Sequence, residues 1–146
     1  NVFPLREIIE RLSNLDTLAL TSKSFDFTRS DCFAQGQGNA GKAVSMLQFE
    51  PNGGFSVRYN SYRFSLNERA CNAAARAFNA FQKALSTAQP LTFALQPDSA
   101  LLINNSRALH GRDKVQDNRR LLIRQFGYSP FAVPLVLAED PLLVRG

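Results

Sequence analysis

The stretch LLINNSRALHGRDKVQDNRRLLIRQFGY, residues 101–128, contains His110, the only histidine of the 146-residue chain. An apolar run of strand type ends in Asn104 and Asn105 shortly before this histidine, and a second apolar run with arginines follows it. Neighbouring antiparallel strands bring side chains at paired positions close together. The stretch therefore predicts a polar site around His110 in a β-rich C-terminal half.

Alternation along the second run indicates which arginines face this site. With a strand period of two, Arg120 and Arg124 point to the same face. Two guanidiniums on an inward face are costly unless each meets an anion. A dicarboxylate or another anionic substrate would satisfy them, and so would surface ion pairs with Asp113 or Asp117. The residues alone leave both alternatives open.

The motif LLINNSRALHGR, followed by RRLLIR, resembles the C-terminal signature of the iron(II)- and 2-oxoglutarate-dependent oxygenases of the taurine dioxygenase and clavaminate synthase type. Upstream, FSVRYNSYRFSLNERACNAAARAFNAFQKAL is similar to the strand and capped helix of that family, and QPDSALLI to the entry into its last strands. The resemblance covers the second half of the chain. The first half is compatible with the variable insert of the family.

The resemblance implies a mainly β fold with flanking helices, a double-stranded β-helix or jelly roll, of which this chain forms the C-terminal part. It implies an enzyme that uses iron(II) and O₂ to decarboxylate 2-oxoglutarate to succinate and to hydroxylate a small molecule such as an amino acid or a derivative. His110 would then be one ligand of a two-histidine, one-carboxylate iron site. Arg120 would bind the distal carboxylate of 2-oxoglutarate, and Arg124 would contact the primary substrate.

The chain departs from the family pattern in one respect. The other two iron ligands of the family belong to a His-x-Asp or His-x-Glu motif upstream, and a sequence with one histidine cannot contain it. Because the sequence starts at Asn1 and the distal motif is intact, we expect an N-terminal segment of the same protein to supply these ligands. The alternative is a catalytically inactive jelly-roll binding protein.

Periodicity divides the chain into a helix plus flexible loop over 1–43 and barrel strands with one long helix over 44–146. PLREIIERLSNL has the spacing of a short amphipathic helix, and Ser65 and Glu68 have the spacing of a capping box, which predicts a helix over 65–86. The remaining predictions are a hairpin turning at Asn52-Gly53, strands over 90–97, 100–105 and 119–128, and a glycine-rich loop over 34–41 that could cover the site.

Composition narrows the functional classes. The formal net charge of +5 suggests a basic nucleic-acid-binding module as a further alternative, carried by arginines near two aromatic residues: Arg107, Arg112, Arg119, Arg120, Arg124, Phe126 and Tyr128. This alternative is disfavoured because the same arginines lie in apolar runs of strand type. No apolar run approaches the ~20 residues that a membrane-spanning helix requires. Cys32 and Cys71 are expected to be unpaired thiols in a reducing cytoplasm.

Overall fold

The computed structural model describes residues 1–28, 41–51, 54–111, 121–125, 135–137 and 140–145. Within them the helices are Leu5–Ile9 (α1), Asn14–Leu20 (α2) and Asn72–Thr87 (α3). The strands are Val2–Pro4 (β1), Phe25–Phe27 (β2), Gly41–Val44 (β3), Leu47–Phe49 (β4), Phe55–Val57 (β5), Phe64–Leu66 (β6), Ala108–His110 (β7), Leu135–Leu137 (β8) and Asp140–Arg145 (β9).

The strands in the described ranges form four small antiparallel sheets. Three are pairs, β1 with β7, β4 with β5 and β8 with β9, and in the fourth β2 lies between β3 and β6. The β-rich architecture that we predicted is present. These sheets do not close into a barrel within the described ranges, so the jelly roll itself stays a prediction.

The two N-terminal helices bury one face each. Leu5, Ile8 and Ile9 of α1 are buried, as the amphipathic spacing predicted, and Pro4 precedes the first turn as its N-cap. A second helix, α2, was not predicted. It begins after Ser13, whose hydroxyl accepts a hydrogen bond of 3.1 Å from the backbone N–H of Asp16.

Helix α3 carries the apolar stripe that the sequence predicts, but it begins seven residues later than expected, at Asn72. Ser65, the expected cap, lies in β6 and pairs with Asp26 of β2. The prediction of the helix start was wrong because residues 64–66 form β6. In this strand Phe64 is buried and the backbone groups of the strand bond to β2, which stabilises the segment more than a local capping box would. Cys71 is the N-cap of α3 and is a free, exposed thiol.

Aromatic side chains between α3 and the strands form the centre of the core. Phe25 and Phe81 are fully buried. The Phe25 ring centroid lies 5.4 Å from that of Phe64, and the edge-on contact between Tyr59 and Phe81 has a centroid separation of 5.1 Å. One hydrophobic core therefore joins α3 to β2, β5 and β6.

Asp26 connects the three strands of the larger sheet through its side chain. Its carboxylate accepts hydrogen bonds from the backbone N–H of Ala43, at 2.9 Å, and from the amide of Asn67, at 2.8 and 2.9 Å. Ala43 has a φ of 52°, in the left-handed region that L-residues rarely adopt. The bond from Asp26 helps to hold this backbone conformation.

The predicted hairpin forms, with Phe49 opposite Phe55 at the end nearest the turn. Asn52 and Gly53 lie outside the described residues. Gly54, which follows them, has a φ of 79°, a conformation that glycine adopts without steric cost. The predicted cover loop also lies outside the described residues, and so does Cys32.

Three of the other predicted strands do not form as expected in the described residues. In 90–97 only Leu91 forms a bridge, with Val2, and 100–105 contains no strand. Of 119–128 the structure describes 121–125, which is not a strand either. Leu102 is 99% exposed and Leu121 84% exposed. An alternating pattern produces a strand only where a partner supplies backbone hydrogen bonds along its length. In the described part of the chain, β1 bonds to 90–97 at Leu91 alone, and no strand pairs with 100–105 or 121–125.

No helix in the described ranges has the length and apolar character to cross a membrane.

Candidate functional site

His110 is the last residue of β7, and the antiparallel ladder with β1 places it opposite Val2. The next residue, Gly111, donates its backbone N–H to the carbonyl of Asn1 at 3.0 Å. His110 is exposed as a residue, although its imidazole is partly shielded from solvent. The backbone of the histidine is therefore held by β1, while its side chain remains available for contacts.

The sequence predicts a polar site that includes the two asparagines before His110, but in the structure these asparagines belong to a turn. The side-chain oxygen of Asn104 accepts hydrogen bonds from the backbone N–H and the hydroxyl of Ser106, at 3.2 and 2.9 Å. The backbone N–H of Arg107 also donates to the carbonyl of Asn104, at 3.0 Å. These bonds are those of an Asx turn, so Asn104 shapes the approach to β7 and Asn105 is an exposed turn residue.

Arg107 follows this turn and is half-buried. One guanidinium nitrogen, Nη1, donates a hydrogen bond to the backbone carbonyl of Phe55 in β5. Burial lowers the pKa of Arg107, and the nearby negative charge of Glu50 raises it in part. Sequence reasoning placed Arg107 in a basic surface cluster and missed this contact, because no local pattern indicates a carbonyl partner so distant in the chain.

Arg124 lies close enough to His110 for its charge to act on the imidazole. Burial lowers the pKa of His110 below its ordinary value, and the positive charges of Arg124 and of the Asn1 amino group lower it further. A lowered pKa favours the neutral imidazole at neutral pH, which is the form that binds metal ions. His110 and Arg124, two of the three site residues that the sequence predicts, are thus within electrostatic range of each other, and their roles in a site stay predictions.

The third predicted site residue, Arg120, lies outside the described residues. That Arg120 and His110 open onto the same cavity therefore stays a prediction. Within 121–125, Leu122 is 42% exposed, whereas Leu121 and Ile123 are 84% and 80% exposed. All residues of 121–125 are exposed, so the alternation of faces predicted for this segment stays a prediction.

The donor set does not by itself fit a complete iron site. A two-histidine, one-carboxylate site needs a second imidazole, and His110 is the only histidine of the sequence. Over the described ranges, no group of three or more histidine, cysteine, aspartate or glutamate side chains could hold a metal ion. The chain can contribute one imidazole ligand, and the second imidazole would have to come from elsewhere.

Comparison with known protein families identifies the family of this chain. The model of the taurine catabolism dioxygenase TauD, TfdA family matches residues 7–125. The chain belongs to this family. The match begins in α1 and so extends well upstream of the second half, to which the sequence motifs had limited the resemblance. No curated protein and no solved structure matches the chain.

Membership of the TauD, TfdA family identifies the general chemistry as that of a dioxygenase, and the family generally uses iron(II) and 2-oxoglutarate with O₂ and a small-molecule substrate. His110, Arg107 and Arg124 all lie inside the matched region. Strands β8 and β9 lie beyond it.

Proposed function

We propose that this chain is the C-terminal part of an iron(II)- and 2-oxoglutarate-dependent oxygenase that hydroxylates a small molecule of the amino-acid type. The observation that supports this most directly is the match of the TauD, TfdA family model over residues 7–125, a region that contains both His110 and Arg124. A metal-binding imidazole beside an anion-binding guanidinium suits a site for a carboxylate-bearing substrate.

In this proposal His110 is one of three protein ligands to iron. Its lowered pKa keeps the imidazole neutral and able to bind a metal ion. The second histidine and the carboxylate are supplied by a segment of the same protein other than these 146 residues. That segment would also cover the exposed apolar side chains of Leu102, Leu121 and Ile123.

Two arginines of the RRLLIR motif, Arg120 and Arg124, bind different anionic groups in this proposal. Arg120 binds the distal carboxylate of 2-oxoglutarate, since a planar guanidinium can donate two parallel hydrogen bonds to a carboxylate. Arg124 binds an anionic group of the primary substrate near His110.

A second candidate function is a catalytically inactive binding protein of the same fold. It is favoured by the single histidine, because a protein without a second imidazole cannot form the iron site of the family. Such a protein would still bind a dicarboxylate through its arginines, but it would do so without iron.

Arg107, one of the arginines on which the nucleic-acid alternative depends, does not fit that role. The guanidinium of Arg107 is engaged with the carbonyl of Phe55 and is half-buried, so it does not face a phosphate backbone. A gel-shift assay at low salt tests what remains of this alternative, since binding to phosphates weakens steeply as salt rises.

Anaerobic titration calorimetry distinguishes the oxygenase from the inactive binding protein. The full-length gene product is titrated with 2-oxoglutarate in the presence and absence of iron(II). The oxygenase is expected to bind 2-oxoglutarate much more tightly with iron than without it. Equal affinity with and without iron would favour the inactive binding protein and would overturn the oxygenase.

A further inference from the structure

Strand β7, which ends in His110, is held against β1 by a short ladder with an inherent weakness. The ladder has three residue pairs, of which Pro4 with Ala108 is the first and Val2 with His110 the last. Pro4 has no backbone N–H and cannot donate to the ladder. A slip of one residue would turn every side chain of β7, His110 included, to the opposite face.

Anchors next to β7 compensate for this weakness. The carbonyl of Ser106 accepts a hydrogen bond of 2.9 Å from the N–H of Val57 in β5, and the carbonyl of Arg107 accepts one of 3.0 Å from the N–H of Leu5 at the start of α1. The peptide groups just before β7 are therefore bonded on two sides.

The side chain of Arg107 provides the anchor that is specific to one residue type. Its guanidinium donates to the carbonyl of Phe55, which is the first residue of β5 and is buried. Unlike the two backbone bonds, which any residue could form, this bond needs a long side chain with a directed N–H donor. It also requires a half-buried positive charge, which is costly unless the charge has a partner.

We infer that Arg107 is a positioning residue, which anchors the segment before β7 to β5, fixes the register of β7 against β1 and thereby determines where His110 presents its imidazole. The importance of that position for metal binding rests on the proposed role of His110 as an iron ligand. Arg107 is not itself assigned a contact with the metal or a substrate. It acts through the backbone, from three residues before the ligand.

The test uses the single histidine as a spectroscopic probe. In the 146-residue chain the single imidazole gives one Cε1–H signal in a ¹H–¹³C spectrum, recorded at pH 8, where the ring is neutral. The variants are Arg107→Gln, Arg107→Lys and the control Arg76→Gln, which removes an exposed arginine of α3. Amide hydrogen exchange is measured for β7 and for α3 in the same samples.

Arg107→Gln is expected to shift the imidazole signal and to speed amide exchange in β7 about ten-fold or more, with α3 unchanged. Arg107→Lys should give smaller changes, since lysine keeps the charge and a donor but not the planar fork. Arg76→Gln should match the unsubstituted chain. An unchanged imidazole signal and unchanged β7 exchange, or equal acceleration in β7 and α3, would overturn the inference. If Arg107→Gln does not fold, the imidazole signal and the amide exchange of Arg107→Lys are compared with those of the unsubstituted chain, and they decide the inference in the same way.

Iron binding separates this inference from the proposed function. In the full-length gene product, Arg107→Gln should weaken iron(II) affinity by roughly 10- to 100-fold, the usual effect of losing a residue that orients a metal ligand. If the imidazole signal moves but His110→Ala leaves iron affinity intact, Arg107 positions His110 and the proposed function fails. If His110→Ala abolishes iron binding and Arg107→Gln changes neither the signal nor the affinity, the inference fails and the proposed function stands.

Discussion

His110 and Arg124 belong to separate segments of the chain, and the charge of Arg124 acts on the imidazole of His110. Burial is the main cause of the lowered pKa of His110, and the guanidinium of Arg124 adds to it. The two residues are the part of the predicted site that the described structure brings together. Their coupling can be measured without iron or 2-oxoglutarate.

Replacement of Arg124 by glutamine is expected to raise the pKa of His110. Removing a nearby positive charge makes protonation of the imidazole less unfavourable, while burial continues to oppose it. Because the chain has one histidine, an NMR titration of the imidazole signal reports this pKa directly. The exposed Arg69 provides a control, and Arg69→Gln should leave the titration unchanged. An unaltered pKa in Arg124→Gln would show that the two side chains do not interact in solution.

Truncation of Phe81 tests the core that supports the site. Phe81 lies on the inner face of α3, is fully buried and contacts the ring of Tyr59 edge-on. Phe81→Ala should lower the free energy of unfolding by about 3–5 kcal/mol, because it removes a large apolar group and leaves a cavity. Urea denaturation measures the change. Leu15→Ala, at a position of α2 that is 77% exposed, should change it by less than about 0.5 kcal/mol. Similar effects at both positions would contradict the described core.

Local sequence patterns were sufficient to predict the elements that depend on local contacts. The stripe of α3 repeats at helical spacing, so Ala74 and Phe81 could be assigned to its buried face, whereas the buried Ala77 was not. The hairpin between β4 and β5 follows from an Asn-Gly pair between two apolar runs. The helical spacing of Leu5, Ile8 and Ile9 likewise indicated α1.

Elements that depend on distant partners were predicted less well. Ser65 has the spacing of a helix cap, but pairing of β6 with β2 places it in a strand. The bond from Arg107 to Phe55 joins residues 52 positions apart, and no local spacing indicates it. At the candidate site, the roles that the sequence motif predicts for His110 and Arg124 stay predictions, whereas the role of Asn104 in a turn is visible only in the structure.

Asp26 and Asn67 should be energetically coupled. The carboxylate of Asp26 accepts two hydrogen bonds from the amide of Asn67 and so connects β2 to the segment after β6. A double-mutant cycle with Asp26→Ala and Asn67→Ala should give a coupling energy within about 0.5–3 kcal/mol in urea denaturation. A cycle of Asp26→Ala with Lys83→Ala, an exposed position on α3, should be additive. Additivity in both cycles would mean that the contact contributes no stability.

Arg120→Ala in the full-length gene product is expected to weaken binding of 2-oxoglutarate. Loss of a charge-assisted pair with the distal carboxylate costs on the order of 2–5 kcal/mol, which corresponds to roughly thirty-fold to several thousand-fold in affinity. The measurement is the dependence of succinate formation on 2-oxoglutarate concentration. Arg69→Ala serves as the matched control. An Arg120→Ala variant with an unchanged dependence would show that another residue binds the co-substrate.

The most direct test of the proposed oxygenase is succinate formation from 2-oxoglutarate by the full-length gene product and by its His110→Ala variant, with iron(II) and O₂ in excess. The unsubstituted protein should form succinate. His110→Ala should form none above the enzyme-free background at any 2-oxoglutarate concentration, because a ligand that holds the metal has been removed. Succinate formation by His110→Ala at the rate of the unsubstituted protein would contradict the assignment of His110 as an iron ligand.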